Sequence, residues 1–196
     1  MCCLFGFVDY AGSLSVKQKS RLIRELSIAS EARGTDATGI AYNTSHGLQI
    51  YKRPLAAHRL HLLIPAEAHV VLGHTRMATQ GSAKKNFNNH PFFGHVKGES
   101  FALAHNGAIW NDLDLRRTKR LPRTKVQTDS FIAVQLLEQQ KALDFSSLRY
   151  TAEAVDGSFS FTVLSERDDL YLIKGDNPLN IVHFPKVGVY VYASTA

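Results

Sequence analysis

Met1-Cys2-Cys3-Leu4-Phe5-Gly6-Phe7-Val8 is the stretch on which the reading of this chain turns. Most chains open on a polar, frayed end. This one places a thiol second and follows it at once with an apolar run, so Leu4 to Val8 reads as a buried strand. Methionine aminopeptidases remove Met1 when the next residue is as small as Cys. Cys2 would then carry both a thiol and the free α-amino group. That amine titrates at about 7.7–8.0 and can take the thiol proton directly or through a water. Two plainer readings stand beside it. Cys is a small hydrophobe that is often buried without function, and a Cys near a terminus can be acylated.

Working outward, Asp9 to Ser13 is a turn broken by Gly12, and Ser15-Val16-Lys17-Gln18 fits a capping box. Leu22, Leu26 and Ala29 recur at helical spacing, which predicts a helix from Val16 to about Ala32 ended by Gly34 in the C′ position that favours glycine. Thr38 to Tyr42 and Leu48 to Lys52 read as a hairpin around Asn43 to Gly47. Pro54 followed by Leu55 to Leu63 predicts a short helix. Val70 to Thr75 is a strand, Ser82 to Phe93 a loop, and Phe101 to His105 a strand ending at Asn106-Gly107. Thr128 is expected to cap a helix from Asp129 to about Lys141, and Ser146 to Val155 forms a second helix. Phe159-to-Val163, Leu170-to-Ile173, Ile181-to-His183 and Val189-to-Val191 complete the strands. Short turns between strands argue for antiparallel pairing in an α+β layered domain.

At 196 residues, one domain spanning 1–196 is the natural expectation. Hydrophobic residues make up 44% and charged residues 20%, a globular balance that excludes disorder. No segment approaches the ~18 apolar residues of a membrane span, and no basic residue precedes Leu4 as a secretory signal would require. Cys2 and Cys3 are the only cysteines, so there is no disulfide framework, and a reducing cytoplasm fits best. The net charge of +6 is local. Arg116, Arg117, Lys119, Arg120, Arg123 and Lys125 account for all of it, whereas a nucleic-acid binder shows a wider basic face. This stretch is either a solvated surface or a site for an anionic partner.

Three constellations could carry chemistry, and a fourth invites a metal reading. His105-Asn106-Gly107 could aim a side-chain amide and a backbone N–H at one oxyanion, although Asn-Gly is also the strongest short hairpin signal. In Gly73-His74-Thr75-Arg76-Met77-Ala78-Thr79-Gln80-Gly81 an arginine follows a strand, ready to pair with a carboxylate or to snorkel from a sheet edge. Thr128-Asp129-Ser130 puts an acid where helix N-termini favour one, or where it could hold a substrate ammonium. His58 and His61 share a face of the predicted helix, but no acid completes a metal set, and neither HExxH, CxxC nor a phosphate-cradling glycine loop is present. No metal and no cofactor are expected.

In order and wording these motifs are specific. Cys2, Arg33-Gly34-Thr35-Asp36 with Gly39, His74-Thr75-Arg76 with Ala78-Thr79 and Gly81, Asn89-His90-Pro91, His105-Asn106-Gly107 and Thr128-Asp129 together resemble the class II glutamine amidotransferases. The likeness is closest to the glutaminase domain of a sugar-phosphate synthase and runs to about Gly175. It implies an N-terminal-nucleophile hydrolase, a four-layer αββα sandwich of two antiparallel sheets flanked by helices. It also implies that Cys2 attacks the glutamine side-chain amide and forms a γ-glutamyl thioester with release of ammonia. By the same resemblance Asn106 and Gly107 form the oxyanion hole. Arg76 binds the α-carboxylate, Asp129 the α-ammonium, and Thr79 and Gln80 line the pocket wall. Arg33, His74 and His105 are supporting residues. Glutamine is the substrate, and an ammonia-acceptor subunit is the expected partner.

Three positions depart from the family's pattern. Met77 stands where Trp is common, Gln80 where His is frequent, and Cys3 where Gly usually follows the nucleophile. No acceptor domain is expected, and the domain is expected to be short at its C-terminus. Two alternatives accompany this reading. One is a non-catalytic module that keeps the fold; the other is an N-terminal-nucleophile hydrolase of another amide.

Overall fold

The computed structural model describes residues 2–194. Its strands are β1 (Cys3–Asp9), β2 (Ala37–Thr44), β3 (Gly47–Arg53), β4 (Val70–Arg76), β5 (Phe92–Val96), β6 (Glu99–Ile109), β7 (Gly157–Ser165), β8 (Leu170–Lys174), β9 (Asn180–Phe184) and β10 (Val189–Ala193). The helices are α1 (Val16–Ala29), α2 (Asp112–Thr118), α3 (Phe131–Gln140) and α4 (Phe145–Ala154).

The opening run becomes β1, an inner strand of a six-stranded antiparallel sheet ordered β3-β2-β4-β1-β10-β9. A second antiparallel sheet is ordered β5-β6-β7-β8. Side chains alternate across each strand, so each sheet offers two apolar faces. From β1, Phe5 and Phe7 pack with Ile23 of α1 and Ile40. Leu4 points the other way, to Ala102, Ala104 and Leu164 of the second sheet. The far face of that sheet, Phe101, Leu103, Phe161 and Val163, is covered by Ile132 and Leu136 of α3 and Leu148 of α4. The layers are therefore αββα, as the resemblance implied. Each fully buried Phe or Leu contributes roughly 1.5–3 kcal/mol relative to exposure.

The capping box forms: Gln18 N–H donates to Ser15 Oγ at 3.3 Å and Ser15 N–H to Gln18 Oε1 at 2.9 Å. Elsewhere the structure corrects several expectations. Helix α1 stops at Ala29, and 30–33 tighten into a 3₁₀ turn. Gly34 is extended, with φ 172°, so it is not a left-handed cap. It is required instead by crowding, since a Cβ there would lie 2.5 Å from Met77 N and 2.6 Å from Arg76 O. Gly34→Ala is expected to destabilise the protein by about 2 kcal/mol. An unchanged urea midpoint would contradict that close approach.

Residues 55–63 do not form the predicted helix; only Ala57–Arg59 make a 3₁₀ turn. Leu60, Leu62 and Ile64 are buried while His61 and Leu63 are exposed, a period-two pattern that belongs to extended chain. The loop expected at 82–93 ends earlier, because Phe92 begins β5, whose buried and exposed residues alternate against β6. The basic stretch begins in the last turn of α2, a helix not predicted from the sequence, and continues past its end. Asn106-Gly107 is not a turn, for β6 runs through both to Ile109. Thr128 does not cap α3: its Oγ1 is buried without a partner, and the helix starts three residues later.

Candidate active site

The two sheets meet at the end of β1. Ser194 Oγ accepts from Leu4 N–H at 3.0 Å on one side and from Asn106 Nδ2 at 3.4 Å on the other. His74 on β4 makes a second bridge, its Nε2–H donating to the His105 carbonyl of β6 at 3.0 Å. These contacts bring Cys2, β4 and β6 to one place.

Cys2 is half-buried, and its thiol lies 3.6 Å from the Met77 carbonyl. Burial pushes the thiol above its ordinary value, and the nearby Arg76 guanidinium pulls the other way. The resting group is therefore the neutral thiol, and a base must take its proton at the moment of attack. Arg33 Nε donates to the Cys2 carbonyl at 3.0 Å, which fixes the backbone that carries the thiol. Cys3 is fully buried on the α1 side of the strand.

Arg76 does not snorkel. It is 2% exposed and donates to Asn89 Oδ1 (2.7 Å) and to the carbonyls of Gln80 (2.6 Å) and Gly81 (2.8 Å). It thus braces the loop after β4, and burial lowers its affinity for its proton. A guanidinium has five N–H groups, and these bonds leave some of them for a ligand. Asp129 is 8% exposed, and its Oδ2 accepts from Ile109 N–H of β6 at 2.7 Å, not from an N–H of its own helix. Among the described residues neither Arg76 nor Asp129 makes an ion pair. Gln80 links them, since its carbonyl meets Arg76 and its Oε1 accepts from Asp129 N–H at 3.1 Å. Thr79 is exposed on the same loop.

Asn106 is fully buried with Oδ1 unpartnered, and its backbone carbonyl accepts from Asn177 Nδ2 at 2.8 Å. Gly107 has φ +147°, and the Ser158 carbonyl occupies the space a Cβ would take. Only glycine lets the backbone lie that close to its neighbour strand. The site ties Arg33 to Cys2, Gln80 to Arg76 and Asp129, His74 to His105, and Asn106 through Ser194 to Leu4, while Thr79 and Gly107 adjoin Gln80 and Asn106 in the chain. It adds Ser130, Asn177 and Ser194, which sequence reasoning missed. Ser130 follows Asp129 directly and could have been noticed, whereas no local signal marks Asn177 or Ser194.

Behind the site His74, His90 and His105 are buried together, with His74 and His90 ring centroids 4.1 Å apart. His105 Nδ1 is hydrogen-bonded to Ser130 Oγ at 2.7 Å, and Ser130 Oγ–H faces Asp129 Oδ1 at 3.4 Å. Burial pushes His74 down to about 3 and His105 down to about 4. Unfolded, each would titrate near 6.5. The folded state therefore binds fewer protons, and stability is full above pH ~6.5 and falls as pH drops toward about 4. Urea midpoints at several pH values across that window should fall steadily. A flat profile would show that these rings are solvated.

His58, placed on the predicted helix, bonds Glu31 instead, at 3.0 Å. Among the described residues no three His, Cys, Asp or Glu side chains are grouped as a metal site would require, and no helix is long and apolar enough to cross a membrane.

A two-sheet αββα sandwich with a cysteine at the end of a central strand, beside a buried asparagine and a buried arginine, defines the N-terminal-nucleophile amidotransferase class. The sequence profile of class-II glutamine amidotransferases matches residues 28–155, and the chain belongs to that family. It is 31% identical over 187 residues to a glutamine–fructose-6-phosphate aminotransferase (isomerizing) of Bacillus thuringiensis, covering 91% of this chain and 30% of the relative. It is 32% identical over 173 residues to the protein of that name from Thermus thermophilus, covering 85% of this chain and 27% of the relative. The glutamine phosphoribosylpyrophosphate amidotransferase of Bacillus subtilis, solved with ADP and GMP, superposes with a TM-score of 0.74 at 19% identity, covering 98% of this chain and 42% of that one. This last likeness bears on the fold alone. The chain spans less than a third of the length of the two aminotransferases.

Proposed function

We propose that residues 1–196 form one glutaminase domain, which hydrolyses the side-chain amide of glutamine and passes ammonia to an acceptor site on another domain or subunit. The observation that carries this reading is the pair of buried, opposite charges, Arg76 and Asp129, neither in an ion pair among the described residues, on either side of Gln80. Burying one unpaired charge is costly. Two of opposite sign, held at a fixed separation, suit a zwitterionic amino-acid head. Arg76 takes the α-carboxylate and Asp129 the α-ammonium, while Thr79 and Gln80 wall the pocket.

With Met1 removed, the Cys2 amine accepts the thiol proton as sulfur attacks the γ-carbonyl carbon. The oxyanion receives hydrogen bonds from Asn106 Nδ2–H and Gly107 N–H. Collapse returns the proton to the departing nitrogen and releases ammonia, leaving a γ-glutamyl thioester. Water then attacks the thioester, and glutamate and the free thiol result. Arg33 holds the nucleophile's backbone, and His74 and His105 tie β4, β6 and α3 together around it.

Intact mass after treatment with a diazo-ketone analogue of glutamine tests the proposal. Loss of Met1 and a single adduct on Cys2, prevented by excess glutamine, is expected. A processed chain that takes no adduct would favour a non-catalytic module.

A further inference from the structure

The basic stretch plays no part in the chemistry above, yet it does not lie flat on the surface. Helix α2 and residues 121–127 enclose a cleft of about 570 Å³, within the size range of small-molecule sites. Arg116, Arg117 and Arg123 line it against one carboxylate, Asp112, and Leu121 forms part of its floor. Arg116 is held by Gln135 Oε1 at 3.0 Å, with Asp112 at 3.9 Å. Among the described residues Arg117 meets only the exposed Asp114, at 2.9 Å, a pairing of little worth in water. Arg123 has no partner among the described residues. Gln80, the residue that bonds both Arg76 and Asp129, also lines the cleft.

We propose that this cleft binds a small organic phosphate on the guanidinium groups of Arg116, Arg117 and Arg123, and that its occupancy reaches the Cys2 site through Gln80. Arginine forks match phosphate oxygens with paired N–H donors, which a diffuse field of lysines does not. A nucleic acid is a poorer fit, because basic charge outside this stretch is balanced by acid and the cleft is a single concavity. The apolar floor suits the organic part of the ligand.

The test is calorimetric titration of the full chain with inorganic pyrophosphate and with ribose 5-phosphate, using glutarate to represent simple dicarboxylates, at ~150 mM salt. Saturable one-to-one binding of the phosphates is expected. It should weaken about tenfold or more in Arg117→Gln/Arg123→Gln and recover only in part in Arg117→Lys/Arg123→Lys. Both side chains are exposed, so these variants should keep the wild-type circular dichroism. Absence of saturable heat at millimolar pyrophosphate, equal affinity in the glutamine double variant, or glutarate binding as tightly as phosphate would each overturn the site. Coupling is read as the rate of Cys2 alkylation by iodoacetamide, which does not depend on glutaminase activity. Pyrophosphate should change that rate in wild type but not in Gln80→Ala, and an unchanged wild-type rate would overturn the coupling.

Discussion

Cys2→Ala should lower the rate of glutamine hydrolysis by about 10⁴-fold or more, because without the sulfur no thioester forms. Cys3 cannot substitute. It is fully buried, on the opposite face of β1 from Leu4 and the second sheet. The backbone at Cys2 is held by its own carbonyl through Arg33, so the variant should fold and keep its melting temperature. Ammonia release from glutamine and mass after analogue treatment should both go blank together. Glutamine hydrolysis that survived the substitution would sink the N-terminal-cysteine mechanism for every amide, not only for glutamine.

Asp129→Asn is expected to reduce kcat/KM for glutamine by about 10²-fold, chiefly through KM. Removing one partner of a buried charge contact costs about 2–5 kcal/mol. The asparagine oxygen can still accept from Ile109 N–H, the bond that fixes this side chain at 2.7 Å in the native site, so the loss should be of charge and not of geometry. A glutamine analogue lacking the α-amino group should be handled alike by the two proteins. A variant within threefold of wild type on glutamine would remove Asp129 from the ammonium site.

The residues to which we assign the chemistry were legible early. Cys2, Arg76, Asn106, Gly107 and Asp129 stand in short motifs, because each depends on local backbone to aim it. Their conformation was less so. The Asn-Gly pair reads locally as a turn, and only the pairing of Gly107 with Phe159 across β6 and β7 keeps it extended. Asp129 reads as a helix-capping acid, and only the arrival of β6 alongside gives its carboxylate a different donor. Residues 55–63 have helical composition, but the sandwich needs Leu60, Leu62 and Ile64 on one side.

By itself the sequence determined that a thiol precedes a buried strand and that the domain is antiparallel α+β, which follow from periodicity and from short-range backbone preference. The grouping of the motif residues and the layer order came from the family resemblance. The tertiary structure alone decided that Ser194 and Asn177 join the site from the far end of the chain, that Arg76 is a buried brace, and that three of the six clustered cations, Arg116, Arg117 and Arg123, line a cleft that Gln80 also borders. Those contacts span from 4 to 190 residues. The long ones are set by how two sheets close on each other, which no local pattern encodes.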